Sequence, residues 1–183
     1  MKLIRYLFII LILFNSYEAT ADVRNNELNR LFNELKIDNA TLTYETEQKI
    51  WKIWSTHPTN QQLTNRLSEG SALVKNKQLS NAVKIYSEVI NEDPKWAEAW
   101  NKRATVLYIM GDYQGSQGDI DKVLELEKRH FGALAGQGLV NIKLGNYEKA
   151  IESYKKVKEI YPSMQSPEIM IKQIEELIKQ ELI

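Results

Sequence analysis

The 183-residue chain contains no cysteine. Disulfides, thiolate metal ligands, thiol nucleophiles and cysteine-linked lipids are therefore excluded, and stability must come from packing. Only two histidines are present, His57 and His130, which leaves little for metal or acid–base chemistry. An excess of charge of one sign is missing too. With 24 basic and 24 acidic side chains, nothing pulls the whole chain toward nucleic acid or an anionic membrane. The uncharged apolar stretch Tyr6–Phe14 has nine residues, short of the ~20 that a membrane-crossing helix needs. What remains is the size of one modest globular unit.

The apolar stretch sits in a recognisable setting. Met1–Arg5 carries Lys2 and Arg5, and Asn15–Ala21 is polar with small residues at its end. This is the layout of a secretory signal peptide. Ala19 and Ala21 place small side chains three and one residues before a cut after Ala21. The expected mature chain, Asp22–Ile183, carries 22 basic and 23 acidic residues, a net charge of −1. Its neutrality does not depend on the leader. An uncleaved signal anchor is the alternative.

Self-similarity appears at a period of 34, in three blocks: Leu63–Trp96, Ala97–His130 and Phe131–Met164. Small residues recur as Gly70, Ala104 and Gly138, and as Ala82, Ser116 and Ala150. Large ones recur as Tyr86, Ile120 and Tyr154, as Leu79, Tyr113 and Tyr147, and as Val89, Val123 and Val157. Turn residues fall at Lys77, Gly111 and Gly145, and block ends at Pro94, Lys128 and Pro162. A helix-turn-helix unit needs this arrangement: small residues let two helix backbones approach, and large ones fill the space between successive hairpins.

The second block reads Trp100, Arg103, Ala104, Leu107, Gly111, Asp112, Tyr113, Ser116, Ile120 and Val123. The third reads Leu134, Gln137, Gly138, Gly145, Asn146, Tyr147, Ala150, Tyr154, Val157 and Pro162. On these residues the blocks resemble tetratricopeptide repeats, and the likeness covers 102 of 183 residues. Arg103 and Gln137 stand where the family usually has leucine, Arg66 where it has a large apolar residue, and Lys128 where it has proline. The resemblance implies an all-α solenoid of three helical hairpins. It also implies an inner face made by the first helix of each block, at its second, fifth, ninth, twelfth and thirteenth positions. In the second block these are Glu98, Asn101, Thr105, Tyr108 and Ile109, and in the third Gly132, Ala135, Leu139, Ile142 and Lys143. Family members that clamp a terminal carboxylate use lysine and asparagine at the fifth and ninth positions of their first repeat. Leu67 and Ser71 stand there in this chain, so that clamp is absent.

Apolar spacing and stop signals place the helices. First helices are expected over Asn60–Asn76, Lys95–Met110 and Phe131–Leu144, and second helices over Leu79–Asn91, Tyr113–Glu127 and Tyr147–Ile160. Thr59 with Gln62 reads as a capping box. Residues 22–58 read as an N-terminal hairpin: Leu28, Leu31, Phe32 and Leu35 mark an amphipathic helix over Arg24–Lys36. A second helix over Ala40–Thr56 carries Ile50, Trp51, Ile53 and Trp54. The hairpin is expected to cap the N-terminal end of the solenoid, with docking into the concave face or onto a partner as the alternative. Ser166-Pro167-Glu168 opens a capping helix over residues 166–183, with Met170, Ile174, Leu177 and Ile178 on its apolar face.

No catalytic set emerges. His130 reads as a surface or capping residue and His57 as a loop residue. Gly132, Gly136 and Gly138 lack the strand and the Lys-Ser/Thr of a phosphate loop, and Asp112, Asp119 and Asp121 lack the ligand order of a calcium loop. The chain is read as non-enzymatic, without metal or cofactor. Its expected partner is a protein or peptide, not nucleic acid, and the mature chain is not inserted in a membrane. Gly132, Ala135 and Gly136 leave the third first-helix nearly bare beside Asn101, Thr105 and Tyr108, which suggests a shallow groove for a peptide segment. The expected binding residues are Glu98, Asn101, Thr105, Tyr108, Gly132, Ala135, Leu139 and Lys143. The chain also resembles small exported tetratricopeptide proteins of Gram-negative bacteria, which implies the periplasm ahead of the exterior. A self-assembling envelope protein, using Trp51 and Trp54 or the Leu182–Ile183 end to form homo-oligomers, is the alternative. N-terminal sequencing of the exported protein should begin at Asp22; a sequence beginning at Met1 returns the anchor reading.

Overall fold

The computed structural model describes residues 23–37 and 39–181, so the expected leader and the Leu182–Ile183 end lie outside the described residues. Residues 23–34 form α1. There follow α2 (Ala40–Ser55), α3 (Gln61–Lys75), α4 (Leu79–Glu92), α5 (Ala97–Ile109), α6 (Tyr113–Leu126), α7 (Phe131–Lys143), α8 (Tyr147–Ile160) and α9 (Ser166–Glu181). No strand occurs among the described residues.

The six helices of the repeats start and stop within two residues of the bounds expected from spacing. Their caps are local. Asn60, rather than Thr59, caps α3, its Oδ1 accepting the Gln62 and Leu63 amides at 2.9 and 3.2 Å. The Thr59 amide instead donates to His57 Nδ1 at 3.2 Å, so the cap lies one residue later than expected and, with Leu63 three residues on, the expected capping box does not form. Asp112 caps α6 by accepting the Gly115 amide at 2.9 Å.

Each hairpin closes on one small-to-large contact. A Cβ on Gly70 would lie 2.4 Å from Tyr86 Cε1, and one on Gly138 would lie 2.5 Å from Tyr154 Cε2. Where the large residue is the smaller Ile120, the small one is Ala104, and both lie in one buried cluster. The two sizes are matched within each hairpin, as close-packed interiors require. The tight turn between the paired helices is left-handed in all three repeats: Gly111 has φ 85°, Gly145 φ 72° and Lys77 φ 58°.

Polar side chains replace apolar ones between successive elements. Arg103 donates twice to Asp119 at 2.7 Å and once to Ser87 at 2.9 Å, joining α5 to α6 and α4. Arg66 pairs with Glu88 and Glu92 of α4, and Gln137 Oε1 accepts the Ser153 hydroxyl at 3.0 Å. Three of the four departures from the family pattern, Arg66, Arg103 and Gln137, thus fall on half-buried positions where a polar group finds a partner, and Lys128 is exposed.

The N-terminal hairpin does not sit on the end of the solenoid as expected. Leu28, Leu31, Phe32 and Leu35 of α1 and its continuation, with Ile50 and Trp54 of α2, form one buried cluster with Phe131, Leu134, Val157 and Tyr161 of the third repeat. Tyr161 donates to Glu47 at 3.2 Å and Arg129 to Asn29 at 2.6 Å, contacts between residues 114 and 100 positions apart. A solenoid repeat ordinarily touches only its neighbours. This hairpin runs along the edge where the repeats join, because its two indoles find apolar partners there. At the other end, α9 buries Ile174 against Ala150 and Tyr154, with Met170, Ile171 and Ile178 alongside. Leu177, expected on that face, is exposed, and Ile171 takes its part.

Lys77→Gly should raise stability by about 0.5–1 kcal/mol, since a side chain costs energy in the left-handed region and glycine does not, net of its greater unfolded-chain entropy. Urea denaturation of the two proteins checks this.

Candidate functional site

The first helices of the repeats, α3, α5 and α7, supply the inner face, and between α5 and α7 lies a cleft of about 70 Å³. Asn101, Thr105 and Tyr108 line it from α5, and Gly132, Gly136 and Leu139 from α7. Ser116 and Ile120 of α6 also line it. Sequence spacing marked these two only as hairpin-packing positions, since their contribution depends on how α6 lies behind the other two helices. Of the lining residues, Leu139 is 37% exposed. Two hydroxyls of the cleft are already engaged. The Thr105 hydroxyl donates to Asn101 O at 2.9 Å, and the Ser116 hydroxyl to Ala104 O at 2.8 Å. Such a site selects by shape and apolar contact more than by charge.

Of the eight expected residues, five line the cleft: Asn101, Thr105, Tyr108, Gly132 and Leu139. Lys143 is exposed at the C-terminal end of α7 and does not line it. Ala135 is half-buried, packed against the hairpin cluster and against the α8–α9 cluster. The bareness of Gly132 has a partner within the chain: a Cβ there would lie 2.5 Å from Trp51 Cη2. The expected open start of α7 is therefore covered by an indole of α2.

Glu98 is not a surface residue at all. It is 1% exposed. Its Oε2 accepts from His130 Nε2 and from Asn101 Nδ2, each at 3.0 Å, and the Lys102 ammonium lies 3.1 Å from Oε1. Burial pushes the Glu98 carboxyl up, but the hydrogen bond from His130 and the charge of Lys102 outweigh it and hold the group below the ordinary glutamate range. Helical spacing put Glu98 at an inner-face position. The His130 ring, reaching over from the start of α7, turns that position into an interior one.

His130 is fully buried and caps α7, its Nδ1 accepting the Ala133 amide at 3.1 Å. With Nδ1 accepting, the ring proton sits on Nε2 and is donated to Glu98. Trp54 stacks on this ring at 3.9 Å and 10°. His57 repeats the device one junction earlier. Its Nδ1 accepts the Asn60 amide at 2.9 Å, its Nε2 meets Asp93 Oδ2 at 2.8 Å, and Trp96 lies edge-on at 5.1 Å. Trp96 in turn donates its Nε1–H to Trp54 O at 2.8 Å. Both histidines are consumed in building junctions, and neither faces the cleft. Burial also pushes the Tyr154 hydroxyl up to about 12. Among the described residues, no group of three His, Asp or Glu side chains is placed to hold a metal, and no helix is long and apolar enough to cross a membrane.

A stack of small-to-large helical hairpins with a concave cleft defines a helical-repeat fold. Residues 131–164 match the family model of the tetratricopeptide repeat, and the chain has the tetratricopeptide-repeat fold. A repeat-containing protein of Rhizobium etli is 37% identical over 90 residues, 49% of this chain and 44% of that protein. The chain thus spans less than half the length of this relative. Among solved structures, the first tetratricopeptide domain of Spaghetti bound to an HSP90 peptide superposes with a TM-score of 0.63, at 18% identity over 65% of this chain and 94% of that one. The TPR2B domain of yeast Sti1 in its complex with pHsp70 gives 0.61, at 18% identity over 64% and 99%.

Glu98→Gln should cost about 1.5–3 kcal/mol at neutral pH, the range for hydrogen bonds to a charged group. A carboxylate depressed in the folded state stabilises it above the ordinary glutamate range, and that contribution is lost as pH falls through the lowered value. The gap between wild type and variant in urea denaturation should therefore narrow on acidification; a gap constant from neutral to acid pH would contradict the assignment.

Proposed function

We propose that this protein is a non-enzymatic adaptor that captures a protein or peptide segment in the cleft between α5 and α7, and that it does so in the cell envelope. The observation that carries the binding reading is the cleft itself. It is concave, it is lined by Tyr108, Ile120 and Leu139, the Thr105 and Ser116 hydroxyls in it are bonded within the chain, and Leu139 is left exposed. Apolar side chains left in water beside a concavity mark an interaction site. The solved structures in which similar folds hold HSP90 and Hsp70 peptides support the same kind of use. Leu67 and Ser71 occupy the places of the terminal-carboxylate clamp, so the segment captured here is recognised through apolar side chains. The envelope location rests on the leader-like sequence of Met1–Ala21.

Tagged mature protein, cross-linked in an envelope fraction, should enrich a discrete protein or peptide. Tyr108→Ala with Leu139→Glu should weaken that capture by about tenfold or more, as expected for losing apolar anchors at an interface centre, while circular dichroism stays unchanged. Both residues are better test positions than Gly132, whose enlargement would also displace Trp51. Equal capture by the folded variant would remove the cleft from consideration.

A further inference from the structure

The seat on which the N-terminal hairpin lies has features that a passive end cap does not need. At the second position of the first two blocks stand Thr64 and Glu98, whereas the third has Gly132, and the space its missing side chain leaves is taken by the Trp51 ring. Trp51 also meets Phe131 edge-on at 5.3 Å. One turn further along α2, Trp54 stacks on His130, itself fixed from below by Glu98 and the Ala133 amide. Glu47, one turn before Trp51, accepts both from Trp51 Nε1 at 3.1 Å and from the Tyr161 hydroxyl at 3.2 Å. The surface therefore reads a helix through two indoles three residues apart and one acid on the same side.

Trp54 Nε1 is buried without a hydrogen-bond partner, so lifting the ring returns a bond to water that the docked state lacks. The hairpin joins the array through one short crossing, residues 56–60. The Gly70–Tyr86 and Gly138–Tyr154 contacts that close the repeats do not involve it.

We propose that the edge formed by the N-terminal ends of α5 and α7 and the C-terminal ends of α6 and α8 is a second binding surface, which adjoins the α5–α7 cleft at Gly132. Its resident occupant is α2, and its external partner is an amphipathic helix presenting two aromatic rings one turn apart. Such a helix takes the seat when the hairpin lifts, so the hairpin acts as a tethered competitor. A short tether gives that competitor an effective concentration on the order of millimolar, which sets the threshold an external helix must overcome.

The probe is a fluorescein-labelled peptide of residues 40–56, titrated into the full mature chain and followed by anisotropy. Wild type should bind it weakly, and the full chain with Trp51→Ala and Trp54→Ala should bind it at least tenfold more tightly, since its own α2 no longer competes. Adding Gly132→Leu to that background fills the ring site and should abolish binding. Circular dichroism identifies whether the double variant is folded. If it is not, Glu47→Ala, which cuts the ties to Trp51 and Tyr161 while leaving both indoles, replaces it and should strengthen binding at least threefold. A folded loosened variant that binds the peptide no better than wild type overturns the proposal, as does binding that survives Gly132→Leu.

Discussion

A carboxylate removed from water must be met by donors or it takes up a proton, and Glu98 is met by His130, Asn101 and Lys102. That requirement links parts of the molecule that chain order keeps apart. His130 can reach Glu98 only if α7 starts close above α5. Once there, its ring caps α7 through Nδ1 and presents a flat face on which Trp54 of α2 stacks. The second-to-third repeat junction, the start of the third repeat and the docking of the N-terminal hairpin therefore share one side chain. The cleft between α5 and α7 owes its floor and its spacing to the same junction.

The hairpin changes what kind of solenoid this is. An array whose units touch only their neighbours bends and opens at any junction. Here one buried cluster holds α1 and α2 against α7 and α8, and Trp96 adds a bond to the backbone of Trp54. The chain is thereby strapped from the first repeat to the third, and the distance between α5 and α7 is held by contacts on both sides. A cysteine-free protein has no covalent means of doing this. Long-range aromatic packing does it instead for as long as the hairpin is seated.

Much of the architecture was legible because its causes are local and periodic. Spacing of 34, matched small and large residues and turn positions suffice to place six helices. They even assign Lys77 to the left-handed turn that Gly111 and Gly145 occupy. The cleft was legible to the extent that it follows from inner-face register: Asn101, Thr105, Tyr108, Gly132 and Leu139 all line it. Glu98 and Ala135 satisfy the same register and fail, because residues distant in sequence cover or pack against them. The shift of the α3 cap to Asn60 has a similar origin. His57 claims the Thr59 amide while it holds Asp93, a contact 36 positions away.

By itself the sequence determined the repeat unit, the absence of covalent cross-links and of thiol chemistry, the balanced charge, and the identity of the small residues that let helices approach. These depend on composition and on neighbours within one period. The tertiary structure alone decided where the hairpin lies, which of two similar histidine–acid pairs is sealed from water, and that the bare start of α7 is filled by Trp51. Each of these turns on the meeting of side chains far apart in the chain, and no periodicity encodes such a meeting.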